Sequence, residues 1–110
     1  MTQFQRISID TAMTKISAGK AHIVDVRDEQ SFAEARIPGA IHLSSTNLQD
    51  FLQDADPDLP VIVYCYHGNS SQSAAAFLNE KGFDETYSMD GGFEQWRGRF
   101  SIENNGSQPD

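Results

Sequence analysis

Short apolar bursts separated by polar, Gly- and Pro-containing stretches run the length of the chain, and their period switches between that of a strand and that of a helix. Ile7 and Ile9 alternate with polar neighbours, which predicts a short first strand. Asp10 then stands as N-cap of a helix that carries Ala12, Met13 and Ile16 on one face and ends at Gly19. Ala21 to Arg27 reads as a second, buried strand, and Asp28 to Ala35 as a short helix with Phe32 facing in, closed by the Pro38-Gly39 turn. Ala40 to Leu43 gives a third strand, after which Ser44, Ser45 and Thr46 offer caps for a helix with Leu48, Phe51 and Leu52 at helical spacing. The run Val61 to Tyr64 has no polar alternation, as expected of a strand buried on both faces of a parallel sheet. A helix from Ser71 to Lys81 follows and closes on Gly82. Thr86 to Met89 is a further strand, Asp90-Gly91-Gly92 a turn, and Phe93 to Phe100 a final helix with Phe93, Trp96 and Phe100 on one side. Strands alternate with helices throughout, so the fold class is α/β, a mainly parallel central sheet flanked by helices on both faces.

No linker divides this pattern, so residues 1–100 form one domain. In residues 101–110 Ile102 is the one apolar side chain, and a flexible tail is expected there. The charge balance narrows the function. A formal net charge of -8 and a pI of about 4.6 leave no basic stripe to follow a phosphate backbone, so no nucleic-acid partner is expected. No apolar run approaches the roughly 18 residues of a membrane span, and the N-terminus lacks the basic and apolar regions of a signal peptide. A cytoplasmic protein without a membrane partner is the expectation, and a single cysteine suits that reducing compartment. His22, His42 and His67 stand singly and match no zinc spacing, so no metal is expected.

The chemistry gathers at that one cysteine. Cys65 ends the most buried strand and precedes a helix, a junction at the carboxyl edge of the sheet where α/β proteins bind ligands. Between strand and helix lie Tyr66, His67, Gly68, Asn69, Ser70 and Ser71, a loop in which Gly68 is free to turn left-handed and Asn69, Ser70 or Ser71 can cap the helix. Backbone N–H groups of such a loop, converging on the sulfur, would lower the thiol pKa and hold an anionic sulfur adduct. The plainer alternative is a small buried hydrophobe with no chemistry. Asp25 and Arg27, two apart on the second strand, share a face and form either a positioning pair near the loop or a solvated surface ion pair worth about 0–1 kcal/mol.

Four stretches in this order and spacing resemble a single-domain rhodanese: Asp25-Val26-Arg27-Asp28, Arg36-Ile37-Pro38-Gly39-Ala40-Ile41, the cysteine loop, and Asp90-Gly91-Gly92-Phe93-Glu94-Gln95-Trp96. The likeness runs to Phe100, with one departure, Ala35-Arg36 where many members carry Gly-His. It implies a rhodanese-like fold and a thiosulfate sulfurtransferase in which the Cys65 thiolate takes the outer sulfur of thiosulfate, releases sulfite and passes the sulfur from a persulfide to cyanide or a thiol acceptor such as thioredoxin. It implies no cofactor. The N–H groups of Tyr66 to Ser71 would bind the substrate and the persulfide anion.

Three other readings remain open at this level. Cradle-type cysteine phosphatases carry an arginine at the sixth position after the nucleophile, where this chain has Ser71, and the loop holds no Asp as general acid. Rhodanese-like interaction modules commonly lack the cysteine that stands here. A sulfur relay protein loaded by another persulfide enzyme would have the same sequence features as a thiosulfate enzyme.

Overall fold

The computed structural model describes residues 4–104. Five strands form a parallel sheet: β1 (Gln5–Ile7), β2 (His22–Asp25), β4 (Ile41–His42), β5 (Val61–Tyr64) and β6 (Thr86–Met89), in the order β1-β6-β5-β2-β4. Five helices alternate with them: α1 (Ile9–Ser17), α2 (Glu29–Glu34), α3 (Leu48–Asp54), α4 (Ser70–Glu80) and α5 (Gly92–Trp96). The central β5 pairs with β2 on one side, Ile23 opposite Ile62, and with β6 on the other, Val63 opposite Ser88.

Strand alternation divides the core in two. Ile23, Ile62, Tyr64, Tyr87 and Met89 point to one face and pack with Ile9, Ala12, Phe93 and Trp96 of α1 and α5. Val24, Val61 and Val63 point to the other and pack with Phe51, Ala75 and Leu78 of α3 and α4. A sheet covered on both faces needs strands without polar alternation, and Val61 to Tyr64 are all fully buried. Thr86 and Ser88 are exceptions, two buried hydroxyl residues alternating with Tyr87 and Met89 on β6.

Several sequence-level boundaries shift. Helix α1 starts earlier than expected, because the Ser8 hydroxyl accepts the Thr11 N–H at 3.1 Å and caps it, which leaves Ile9 inside the helix and buried. Asp10 is free to pair with Arg99 at 2.8 Å instead. The final helix keeps helical hydrogen bonding to Trp96 and then tightens into turns to Phe100, whose ring lies 4.7 Å from that of Trp96.

Residues 101–104, the start of the expected tail, make contacts with the domain. Ser101 accepts the Trp96 indole N–H at 2.9 Å, Ile102 packs against the α1/α5 core, and β7 (Glu103–Asn104) pairs antiparallel with β3 (Ala35–Arg36). The first residue of β3, Ala35, is the one assigned to the end of the second helix by its composition. Ala35 leaves that helix with extended backbone, φ -165°, because it has a strand partner that lies far away in sequence. Residues 105–110 of the expected tail lie outside the described residues.

Candidate active site

Strand β2 ends where its own side chains turn it. The Asp25 carboxylate accepts the Arg27 backbone N–H at 2.8 Å, and both guanidinium nitrogens facing it, Nε at 3.1 Å and Nη2 at 2.7 Å. Nη2 also donates to the Ala35 carbonyl at 2.6 Å, and the guanidinium lies over the Phe93 ring, 4.2 Å from its centroid. The Arg27 and Asp25 side chains are 2% and 0% exposed, so the pair is a buried one and not a solvated surface ion pair. Burial works against the Arg27 charge, yet the Asp25 carboxylate outweighs it and holds the guanidinium above its ordinary pKa.

At the end of β5 the residue Cys65 is 6% exposed. Its Sγ accepts the Gly68 N–H at 3.2 Å and the Ser71 N–H at 3.3 Å, and the Ser71 hydroxyl lies 3.4 Å away. Burial pushes the thiol pKa up. The Ser71 hydroxyl, the N–H groups of Ser71 and Gly68, and that of His67 more than offset it, and the pKa is lowered overall.

The loop can close this way because Gly68 has φ +99°, a conformation that L side chains rarely adopt, and a Cβ there would come within 3.1 Å of Gly91 N. Asn69 stands at the N-cap position of α4 without a side-chain cap bond, and in the first turn the Ser71 N–H bonds the sulfur.

The expected loop residues take different places. Gly68 and Ser71 bond the sulfur; Tyr66, His67, Asn69 and Ser70 line a pocket of about 180 Å³ in front of it, with Val26, Arg27 and Asp28 as the opposite wall. The Tyr66 ring is exposed, and its hydroxyl bonds the Ser31 hydroxyl at the start of α2. Asp28, which caps α2, is held below the usual carboxylate range by the Ser31 hydroxyl and N–H. Cys65, the loop, Asp25 and Arg27 therefore meet at one edge of the sheet. Among the described residues, no group of His, Cys, Asp or Glu is arranged to hold a metal ion.

Two contributors to this site escaped the sequence reading. Gly92, read as part of a turn, begins α5 and sits directly against the loop: its φ is +59°, and a Cβ would collide with the Tyr66 carbonyl and approach the Cys65 carbonyl to 2.6 Å. That close approach lets the next two N–H groups, of Phe93 and Glu94, bond the Cys65 and Tyr66 carbonyls at 2.8 and 3.1 Å. The second is Ser88, whose hydroxyl meets that of Ser71 at 2.8 Å behind the sulfur. Its one signal in the sequence is a hydroxyl inside the otherwise apolar end of a buried strand.

This loop, on this sheet order, defines a class. The model of the rhodanese-like domain matches residues 8–99, and the chain belongs to that family. A relative named thiosulfate sulfurtransferase GlpE, from Ectopseudomonas mendocina (strain ymp), is 55% identical over 103 residues, 94% of each chain. Solved structures share the fold. The BH2092 protein of Bacillus halodurans superposes with a TM-score of 0.80 at 27% identity, covering 91% of this chain and 77% of that one. A rhodanese-like domain protein of Staphylococcus aureus gives 0.78 at 24% identity, covering 93% and 99%.

Proposed function

We propose that this protein is a thiosulfate sulfurtransferase that carries sulfur on Cys65. The observation that carries the reading is the pair of backbone N–H groups, of Gly68 and Ser71, aimed at a buried thiol whose pKa is lowered, at the back of an open pocket. The name of the 55% identical relative supports the substrate. In the first half-reaction the Cys65 thiolate attacks the outer sulfur of thiosulfate; the S–S bond of thiosulfate breaks, its electron pair leaves with sulfite, and Cys65 holds a persulfide anion. In the second, cyanide or a thiol acceptor, a protein dithiol such as thioredoxin among them, takes that outer sulfur and returns Cys65 to thiolate. No cofactor enters. A covalent intermediate shared between two half-reactions gives ping-pong kinetics.

The loop favours this over phosphate ester chemistry. A phosphate dianion needs a cation at the sixth position, and there Ser71 is buried, its hydroxyl behind the sulfur. The test is intact mass after incubation with thiosulfate. One added sulfur, removed by dithiothreitol and absent from Cys65→Ser, is the expected result; an addition that persists in the variant would refute Cys65 as the carrier.

A further inference from the structure

The Ser71 hydroxyl lies between two groups: Cys65 Sγ at 3.4 Å and Ser88 Oγ at 2.8 Å. Ser71 and Ser88 are both 0% exposed, and among the described residues the Ser88 hydroxyl has no hydrogen-bond partner besides Ser71. Each hydroxyl has one proton to place, which limits the ways to run the chain. If Ser71 donates to Ser88, the Ser88 proton is left buried without an acceptor, and if Ser71 accepts from both Ser88 and a protonated thiol, its own proton is left without one. If Ser88 donates to Ser71 and Ser71 donates to the sulfur, both protons are satisfied. A buried donor without an acceptor is costly, so the last arrangement is favoured, and it suits an anionic sulfur.

We propose that Ser88 is a positioning residue for the sulfur chemistry: by donating to Ser71 from the floor of the sheet, it fixes the Ser71 hydroxyl as a donor toward the Cys65 thiolate and persulfide. This deepens the function proposed above and rests on it for the persulfide, while the thiolate part stands on geometry alone. Ser88 reaches this place because it shares a face of β6 with Thr86, the face on which α4 packs, and Ser71 is the second residue of that helix. The charged and titratable groups that share the pocket with Cys65 are Arg27, Asp28, Tyr66 and His67, all on the open side. Asp25 acts on that side through its bond to Arg27. The Ser71–Ser88 pair therefore works from the closed side with hydroxyls alone, and a change there leaves the groups at the mouth in place.

The experiment reads Cys65 reactivity directly, without a sulfur donor. The rate of iodoacetamide alkylation is measured against pH for the wild type, Ser88→Ala, Ser71→Ala and the double variant. Ser88→Ala should move the midpoint up by roughly 0.5 to 1 on the pH scale, which lowers the thiolate fraction below the midpoint roughly threefold to tenfold. In the Ser71→Ala background the same change should add little, since Ser88 acts through Ser71. Thr86→Val removes, from the same face, a buried hydroxyl that has no hydrogen-bond partner among the described residues, and should leave the profile unchanged. Ser88→Thr and Ser88→Val have nearly the same bulk, so the difference between their midpoints reads the hydroxyl even where extra volume disturbs packing.

A Ser88→Ala midpoint equal to that of the wild type, shifts that simply add in the double variant, or equal midpoints for Thr and Val would each overturn the proposal. Sulfur loading from thiosulfate, followed by mass, is recorded on the same samples. Its absence in the wild type would defeat the proposed function and leave the alkylation result standing.

Discussion

At the scale of single residues, the site depends on a thiol and an ion pair handled in opposite ways. Cys65 is an acid whose folded pKa is lowered from its ordinary value by the Ser71 hydroxyl and the loop N–H groups, against the opposing effect of burial. Such a group contributes stability above its unfolded pKa, and the contribution is lost as pH falls through the folded one. The stability of the wild type relative to Cys65→Ala should therefore increase from neutral pH to about pH 9, as read by urea unfolding at several pH values. A difference that is flat or declines over that window would contradict the thiolate environment described here. Arg27 and Asp25 are the reverse case, a buried ion pair whose members hydrogen-bond each other. Arg27→Ala should destabilise the fold by about 3–5 kcal/mol, most of it the cost of leaving the Asp25 carboxylate buried without its partner. A loss under about 1 kcal/mol would mean that the pair is solvated after all.

At the scale of elements, the loop is held between two helices. Its far end enters α4, and its near end is fastened by the first N–H groups of α5, which bond the Cys65 and Tyr66 carbonyls. Gly92 makes that contact possible, so Gly92→Ala should push α5 away from the loop, whose geometry then relaxes. Loading of Cys65 from thiosulfate is expected to fall at least tenfold, with the two aromatic anchors Phe93 and Trp96 still buried by fluorescence. Full loading in Gly92→Ala would show that α5 is only a neighbour of the loop. The turn residues Asp90-Gly91-Gly92 were legible as a break, because two glycines after a strand interrupt any regular element. Their contact with Cys65 was not legible, since it joins residues 27 positions apart through backbone atoms that carry no sequence pattern.

At the scale of the molecule, the net charge of -8 opposes any anionic donor. Inside the pocket the Arg27 charge is balanced by Asp25, and Asp28 adds an exposed carboxylate at the wall, so among the described residues lining it no unpaired Lys or Arg offsets the wider field. Raising salt from about 0.01 to 0.15 M shortens the Debye length from about 30 to about 8 Å and screens the repulsion. The rate of Cys65 loading by thiosulfate, a dianion, should accordingly increase over that range, while alkylation by neutral iodoacetamide should change little. A loading rate that falls with salt would place an attractive field at the pocket. Among the described residues no helix is long and apolar enough to cross a membrane, in agreement with the short apolar runs of the sequence.

By itself the sequence determined the alternation of strands and helices, the two-sided burial of Val61 to Tyr64, and the place of Cys65 at a strand end before a glycine-containing loop. These are local properties: residue period, β-branching and turn chemistry act over a few neighbours and leave a written trace. The tertiary structure decided what depends on distant partners. Ala35 has the composition of a helix and becomes a strand because Asn104 pairs with it. Asp25 and Arg27 look like a surface pair and are buried because Ala35 and Phe93 close over them. Ser88 reads as one polar residue in a strand, and it stands behind the Cys65 sulfur only because α4 lays Ser71 across the sheet at that point. A hydrogen bond or a buried charge is an agreement between two positions, and a linear pattern records each of them without recording that they meet.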